Sequence, residues 1–298
     1  MTTMLSLHPR SVAVERPTAL RPAVYTAEEC LTWRILFDRQ TALLYRRAPA
    51  AFFEGLRALG LSREAPPDLG VLSERLRALT GWSVVPARGR ISDEAYMAGL
   101  ARRELPVATW LRARRDTEFL PGPDLFHDVF GHLPLLAAEP AYARLLTQVG
   151  QVAARQHACG VRAAPLLTRL LGAATEFGLL AVPGGGAPQV IGAALLSGAA
   201  ELHRATAPAG PALADPNADV RRAFAVAEVL ATPLVRAGYQ AKYFVTESWE
   251  ALAAGVAEVA SHLGVPAAAA GPVPVAPVIP VAPVVLAAPI APVACLAA

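Results

Sequence analysis

The chain has 298 residues, enough for one large domain with an ample core or for two small ones. Apolar residues make up 54% of it, and the net charge of +3, with Lys242 as the only lysine, is too small to indicate nucleic-acid binding. The three cysteines are widely spaced and form neither a metal pattern nor a disulfide framework. The first residues do not have the pattern of a signal peptide. We therefore expect a cytoplasmic protein.

The predicted elements lead from a short leader into a long helical region. Residues 1–24 contain prolines and no hydrophobic period, so we expect an extended or disordered leader. Thr26 and Glu29 form a capping-box pattern that predicts the start of the first helix. Further helices are predicted over residues 51–59, 71–79, 92–100, 140–156, 166–180, 199–205, 219–230 and 249–262. Short strands are predicted over residues 81–86 and 243–245, with a hairpin around residues 189–191.

The last part of the chain, residues 266–298, contains no charged side chain and is rich in Pro, Ala and Val. Proline at every second or third position removes backbone donors and favours polyproline II. A membrane-spanning helix needs an intact backbone ladder, so the prolines argue against a span that hydropathy alone would allow. We predict a low-complexity tail and expect no membrane partner.

Two of the six histidines, His127 and His132, lie in one segment at the spacing H-x4-H. On an ideal α-helix, five positions of about 100° each would place them about 140° apart around the axis. Both could bind one ion only if the helix ended or became distorted between them, and Gly131 and Pro134 favour such an ending. The pair differs from the H-E-x-x-H motif of zinc proteases, whose ligands are one helical turn apart.

Glu176 is a third candidate ligand, in the helix predicted over residues 166–180. Its neighbours are almost all apolar, and burying a carboxylate there without a partner would cost much free energy. A surface position on the polar side of the helix is the alternative, but few other polar residues mark such a side. Two imidazoles and one carboxylate can bind one face of an iron(II) ion and leave the other positions open.

Four further polar residues could support such a metal site. Asp124 and Asp128 lie on either side of His127, and Ser197 and Glu201 are one helical turn apart. Metal-bound imidazoles usually donate their second N–H to groups of this kind. Each residue also has an ordinary structural alternative as a helix cap, a turn residue or part of an exposed helix.

Six ordered segments resemble the catalytic domain of the pterin-dependent aromatic amino acid hydroxylases, and most of all the bacterial phenylalanine 4-monooxygenases. The likeness covers residues 25–262, and its segments are residues 81–96, 105–112, 123–136, 175–179, 192–197 and 243–248. It implies a mainly α-helical fold with a few short β-strands or hairpins, as a single catalytic domain over residues 25–265. It also implies a monooxygenase that uses iron(II), a tetrahydropterin and O2 to convert L-phenylalanine into L-tyrosine.

The resemblance also assigns roles to individual residues. The implied iron ligands are His127, His132 and Glu176, with no catalytic residue beyond the metal site. The residues implied for substrate binding are Arg112, Pro123, Asp124 and Ser197, and Arg112 would hold the substrate carboxylate. The residues implied for pterin binding are Gly89, Ile91, Tyr96 and Asp128. Ser197 and Glu201 would together support a ligand histidine.

The chain departs from the family at the wall of the substrate pocket. The family usually has a Tyr-Trp pair five and four positions before the ligand glutamate, where this chain has Leu171 and Gly172. Hydroxylation of another aromatic amino acid, or at another ring position, therefore remains an alternative. A metal-dependent hydrolase and a non-catalytic family member are the alternatives from other classes. Neither a regulatory domain nor a heptad-patterned C-terminal helix fits the chain, so we expect a monomer that binds a small-molecule aromatic amino acid.

Overall fold

The computed structural model of the protein describes residues 24–89, 91–118, 122–160, 163–207, 220–236 and 238–264. The predicted leader, apart from Val24, and the predicted tail lie outside these residues. Within the described ranges, no helix combines the length and apolar character that crossing a membrane requires. The predicted fold class, mainly α-helical with a few short strands, is confirmed.

Helices form most of the described chain, and polar side chains cap several of them. They are α1 (Ala27–Leu44), α2 (Ala50–Leu59), α3 (Leu69–Thr80), α4 (Asp93–Ala101), α5 (Leu133–Ala138), α6 (Pro140–Ala158), α7 (Ala164–Leu171), α8 (Ala193–Ser197), α9 (Ala199–Thr206), α10 (Val226–Ala231) and α11 (Trp249–His262). Thr26 and Glu29 form the predicted capping box of α1, with the Glu29 N–H 3.2 Å from Thr26 Oγ1. Ser92 and Ser248 cap α4 and α11 by accepting a hydrogen bond from the backbone three residues on.

Short strands form two small sheets. The strands are β1 (Ser83–Ala87), β2 (Glu104–Ala108), β3 (Leu179–Leu180), β4 (Gln189–Val190), β5 (Arg221–Ala223) and β6 (Tyr243–Thr246). β1 and β2 pair in parallel, while the second sheet has the order β4-β3-β6-β5. β3 and β4 form an antiparallel hairpin, in which β4 lies where a hairpin was predicted and β3 lies within residues predicted as helix. β6 pairs in parallel with both β3 and β5.

Two predicted helices differ from the observed structure. The helix predicted over residues 166–180 ends as an α-helix at Leu171, continues as a π-helical turn over Gly172–Glu176 and gives way to β3. The helix predicted over residues 219–230 is reduced to α10, because residues 221–223 form β5. Pairing with β6 satisfies the backbone of β5, and this long-range contact outweighs the local helix propensity.

A cluster of aromatic rings lies behind the segment that carries the two histidines. Phe126 and Phe130 stack with their ring centroids 4.7 Å apart, and both are fully buried. Trp33 packs edge-on against Phe126, and Phe37 and Phe52 pack edge-on against Phe130. Aromatic pairs in this geometry are favourable beyond the area that they bury. The cluster therefore fixes one side of the histidine segment to α1 and α2.

The two described cysteines are in different chemical states. Cys159 is exposed and free, whereas Cys30, buried in α1, is disulfide-bonded. The spacing predicted no disulfide framework, and of the cysteines within the described ranges only Cys30 is disulfide-bonded.

We expect Gly55→Ala to destabilise the fold, because α2 passes close to α5 at this residue. A Cβ atom on Gly55 would lie 1.9 Å from the backbone oxygen of Pro134, which cannot move without shifting α5. Overpacking costs about 1–3 kcal/mol, and a clash with backbone should reach the upper end. Gly122→Ala is the matched control, since a Cβ atom there meets nothing within 4 Å. Denaturant unfolding measures both variants, and equal free energies of unfolding would contradict the close approach.

Candidate functional site

The two histidines stand at the ends of a π-helical turn, His127–His132, which leads into α5. A π-helix bonds residue i to residue i+5, so residues five apart are one turn apart and face the same side. The two imidazole centroids are accordingly 5.3 Å apart. The helix is distorted between the histidines, but Gly131 and Pro134 do not end it. Pro134 lies in the first turn of α5, where its missing N–H needs no partner.

Glu176 ends the second π-helical turn and reaches both histidines. Its Oε2 lies 3.2 Å from Nε2 of His127, and its Oε1 lies 3.1 Å from Nε2 of His132. The Phe177 N–H donates to the Gly172 carbonyl oxygen at 2.9 Å and closes this turn. The structure thus brings together the three residues implied as metal ligands.

Hydroxyl groups orient the two imidazole rings from behind. The Ser197 hydroxyl donates to the Ala193 carbonyl oxygen at 2.8 Å, so its oxygen is left to accept from Nδ1 of His127 at 3.1 Å. The Tyr142 hydroxyl lies 2.7 Å from Nδ1 of His132 and can accept in the same way. With Nδ1 protonated, each Nε2 presents a lone pair towards the carboxylate. Three electron-rich groups then face one point, an arrangement that a cation stabilises.

The ionisation of these groups follows from their mutual contact. Burial opposes ionisation of Glu176, but the charges and hydrogen bonds of His132 and His127 outweigh burial and hold the pKa of this carboxyl far below its usual range. Burial likewise disfavours protonation of His127, whereas contact with Glu176 raises its pKa above the ordinary value. The site therefore combines an anionic carboxylate with two imidazoles, which is the charge distribution that a divalent cation prefers.

Asp128 borders the same point. Its Oδ1 is 4.0 Å from Nε2 of His127, and its Oδ2 accepts from the Ala108 backbone N–H at 2.7 Å. With His127 and His132 it forms a group whose ligand atoms all lie within 4.8 Å of one another. Burial raises its pKa to about 6, although the charge of His127 opposes this shift. The residue implied for the pterin thus also lies beside the candidate metal centre.

A buried ion pair joins Arg112 to Asp124. Nε and Nη2 of Arg112 donate to the two carboxylate oxygens of Asp124 at 2.9 and 2.7 Å, and the Arg112 backbone N–H adds a third bond at 2.9 Å. Oδ1 of Asp124 also accepts from the His127 backbone N–H at 2.9 Å. Asp124 thus fixes both Arg112 and the start of the histidine segment. The remaining donors of the Arg112 guanidinium can bind an anionic ligand.

Most of the predicted site residues line one cavity of about 440 Å³, a volume typical of a small-molecule site. Those that line it are Gly89, Ile91, Tyr96, Arg112, Pro123, His127, Asp128, His132, Glu176, Ser197 and Glu201. Asp124 does not, because it is fully buried behind its ion pair with Arg112. Burial raises the pKa of Tyr96 well above its ordinary value, so its phenol stays neutral in the cavity wall.

Ser197 and Glu201 do not share a histidine, which corrects the prediction for Glu201. Ser197 contacts His127, whereas Glu201 accepts from the Gln240 backbone N–H at 2.9 Å and from the Tyr243 hydroxyl at 2.6 Å. The spacing of four assumed one continuous helix. Gly198 has extended backbone and separates α8 from α9, so the two side chains do not share a helical face.

Sequence reasoning missed several residues of the site, among them Tyr142 and Leu234. Tyr142, the partner of His132, lies in α6, where its apolar period indicates only a core residue. Leu234 lines the cavity from the irregular segment that follows α10. No local pattern marks either residue, since both reach the site through long-range packing.

A sequence model of the family described as biopterin-dependent aromatic amino acid hydroxylase matches residues 15–269. The chain belongs to this family. The phenylalanine-4-hydroxylase of Ralstonia nicotianae is 37% identical over 228 residues, which cover 76% of this chain and 69% of the relative. The phenylalanine-4-hydroxylase of Chromobacterium violaceum is 36% identical over 228 residues, which cover 76% of this chain and 72% of the relative.

Solved structures of the Chromobacterium violaceum phenylalanine hydroxylase share the fold of this family member. One, with bound iron(III) and 7,8-dihydrobiopterin, aligns with a TM-score of 0.69 and 35% identity over 80% of this chain and 83% of that chain. Another, with iron and phenylalanine bound, aligns with a TM-score of 0.68 and 34% identity over 80% and 84%. The predicted family and its catalytic-domain fold are therefore confirmed.

We expect Arg112→Met to destabilise this hydroxylase-family domain by about 3–5 kcal/mol, because it leaves the buried carboxylate of Asp124 unpaired. Arg63→Met is the matched control, since Arg63 makes a similar forked pair with Asp38 that is about half exposed. Because solvent screens this exposed pair, it contributes far less to the free energy of unfolding than the buried pair does. Free energies of unfolding from denaturant titration measure the difference, and equal losses in the two variants would contradict the structural role of the buried pair.

Proposed function

We propose that the protein is an iron(II)- and tetrahydropterin-dependent monooxygenase that uses O2 to hydroxylate the ring of L-phenylalanine, giving L-tyrosine. The observation that carries the proposal is the convergence of three ligand groups, with Nε2 of His127 and His132 at 3.2 and 3.1 Å from the Glu176 oxygens. The relatives named phenylalanine-4-hydroxylase, and the solved relative with iron and phenylalanine bound, support it.

The donor set fits iron(II). Two neutral imidazoles and one carboxylate form the facial set typical of non-haem iron oxygenases, and they leave coordination positions for other ligands. Ser197 and Tyr142 would hold the rings of His127 and His132 in the tautomer that leaves Nε2 as the ligand atom. In this role the two histidines and Glu176 are ligands and not acid–base catalysts.

Arg112 would bind the carboxylate of the amino acid through the donors that Asp124 leaves unused. The buried pair with Asp124 fixes the guanidinium before the substrate arrives, which lowers the entropic cost of binding. Pro123 and Ser197 line the same cavity and would contact the substrate beyond its carboxylate. Anchoring one end of the amino acid would orient its ring towards the three ligand groups.

Tyr96 would stack on the pterin, with Gly89 and Ile91 beside it and Asp128 on the side of the metal ligands. Iron and a reduced pterin, when bound, supply the redox chemistry that activates oxygen. The chain supplies placement, charge and the exclusion of water. No general base is required of the protein.

The test is hydroxylation by protein loaded anaerobically with iron(II) and then given a tetrahydropterin, O2 and L-phenylalanine. We expect L-tyrosine to form with matching oxygen consumption. His132→Ala should lose both bound iron and turnover, because it removes a ligand. Tyr142→Phe should retain the ligands but bind iron roughly 10–100-fold more weakly, since it removes only the hydrogen-bond partner of His132.

Two results would contradict the proposal. One is a purified protein that binds zinc and consumes no oxygen with any tetrahydropterin, which favours a metal-dependent hydrolase. The other is unchanged turnover in His132→Ala. Product analysis by NMR distinguishes L-tyrosine from other ring positions, and L-tryptophan as a second substrate tests the alternative that the departure at Leu171 and Gly172 leaves open.

We also infer that the enzyme acts as a monomer in the cytoplasm, with residues 25–265 as its catalytic domain, residues 1–24 as a leader and residues 266–298 as a tail. A reducing compartment keeps iron(II) and the pterin in the required state, and the exposed free thiol of Cys159 fits it, although the disulfide of Cys30 does not. Size-exclusion chromatography with light scattering should give a mass near 31.2 kDa. A dimer mass would contradict the monomer.

A further inference from the structure

The cavity wall next to Gly172 is built by a side chain from elsewhere in the chain. A Cβ atom on Gly172 would lie 2.6 Å from Cδ1 and 3.1 Å from Cδ2 of Leu234, so Leu234 occupies the space that a larger residue at position 172 would need. Leu171, Gly172 and Leu234 all line the cavity. The family usually has Trp at position 172, so here an aliphatic wall stands where an aromatic one is usual.

Residues 232–236, which we call the wall segment, carry Leu234 and are held by one buried side chain. Oε1 of Gln240 accepts from the Val235 N–H at 3.1 Å, and Nε2 of Gln240 donates to the Val235 carbonyl oxygen at 2.6 Å. Gln240 is buried, and its own backbone N–H donates to the Glu201 carboxylate at 2.9 Å. Glu201 therefore acts on Leu234 through Gln240 and Val235.

Two arginines attach the wall segment and the last turn of α10 before it to the helices around the cavity. The Arg236 guanidinium donates to Asp93 of α4 at 2.8 Å. Arg169 of α7 donates to the Leu230 carbonyl oxygen in the last turn of α10, directly before the wall segment. Both α4 and α7 contribute residues to the cavity lining. The wall segment lacks regular secondary structure, yet side chains fix its middle, its C-terminal end and the helical turn that precedes it.

We propose that the wall segment sets which aromatic ring the site accepts, with Leu234 as the specificity-determining contact and Gln240 and Glu201 as positioning residues. The inference rests on the proposed function, because it concerns the ring of the same substrate. A Leu side chain that fills the space beside Gly172 leaves a cavity that suits a single six-membered ring better than the larger indole. In this arrangement the role of Glu201, which contacts Gln240 instead of a histidine, is to position Leu234.

The test compares the binding of L-phenylalanine and L-tryptophan to the iron-loaded protein by isothermal titration calorimetry, with kcat/KM measured for both. Leu234→Ala removes three side-chain carbons and should raise the tryptophan-to-phenylalanine ratio of binding constants roughly 10-fold or more. Gly172→Ala should weaken phenylalanine binding roughly 10-fold, because it pushes Leu234 into the cavity. In the Leu234→Ala background, Gly172→Ala should change binding by no more than about twofold.

The positioning role is tested on the same ratio. Gln240→Ala releases Val235 and should raise the ratio in the direction of Leu234→Ala. Glu201→Gln keeps an oxygen acceptor and should retain the wild-type ratio, whereas Glu201→Ala should raise it. If Gln240 and Glu201 had a merely structural role, their replacement would reduce the amount of folded protein and lower the binding of both amino acids equally. The ratio of the two binding constants would then stay unchanged.

Leu230→Ala is the matched control, because Leu230 lies in the last turn of α10, two residues before the wall segment, and is not among the residues that line the cavity. A ratio in Leu234→Ala or Gln240→Ala equal to that in Leu230→Ala would overturn the inference. Binding of the amino acids without turnover would contradict the proposed function alone. The ratio of binding constants would in that case still test whether the wall segment sets the specificity. Failure to bind either amino acid would overturn both.

Discussion

The hydrogen-bond register of one helical turn is the constraint on which the candidate site depends. In an α-helix, residues five apart point in directions about 140° apart, so His127 and His132 could not meet at one ion. The π-helical turn adds one residue to the loop that each hydrogen bond closes and brings the two rings to the same side. A second π-helical turn ends at Glu176 and delivers the carboxylate to both rings. The three groups converge because both backbones leave α-helical register where they reach the site.

A π-helical turn is rarely stable by itself, so neighbouring contacts must favour it. Asp124 accepts the His127 N–H in the first turn, while Phe126 and Phe130 are buried in the aromatic cluster of α1 and α2. Ser197 and Tyr142 then restrain the two rings from α8 and α6. These contacts come from four different helices. Changing the register back to α-helical would turn one histidine away from its hydroxyl partner and move the aromatic anchors.

Sequence alone predicted the elements whose signals are local. The capping box at Thr26 and Glu29, the helix over Trp249–His262 and the strand over Tyr243–Thr246 follow from caps, periodicity and β-branched or aromatic residues. The π-helical turns could not be derived, since apolar periodicity assumes α-helical register. β5 depends on pairing with β6, and Glu201 was misplaced because Gly198 breaks the helix. The ligand residues were found through composition and resemblance, whereas Tyr142 and Leu234 reach the site only through tertiary packing.

The buried charged groups of the site form two sets, and only one of them is neutralised within the protein. Arg112 and Asp124 neutralise each other in a bidentate pair, so this set is complete within the protein. Glu176 faces two imidazoles whose second nitrogens are held by hydroxyl groups, so that set is completed by a cation. Asp124 connects the two sets, because its Oδ1 binds both the Arg112 guanidinium and the His127 backbone N–H. One carboxylate therefore fixes the distance between the anchor for an anionic ligand and the metal ligands. With that distance fixed, the lateral fit of an aromatic ring depends on the remaining wall, which in this chain Leu234 supplies beside Gly172.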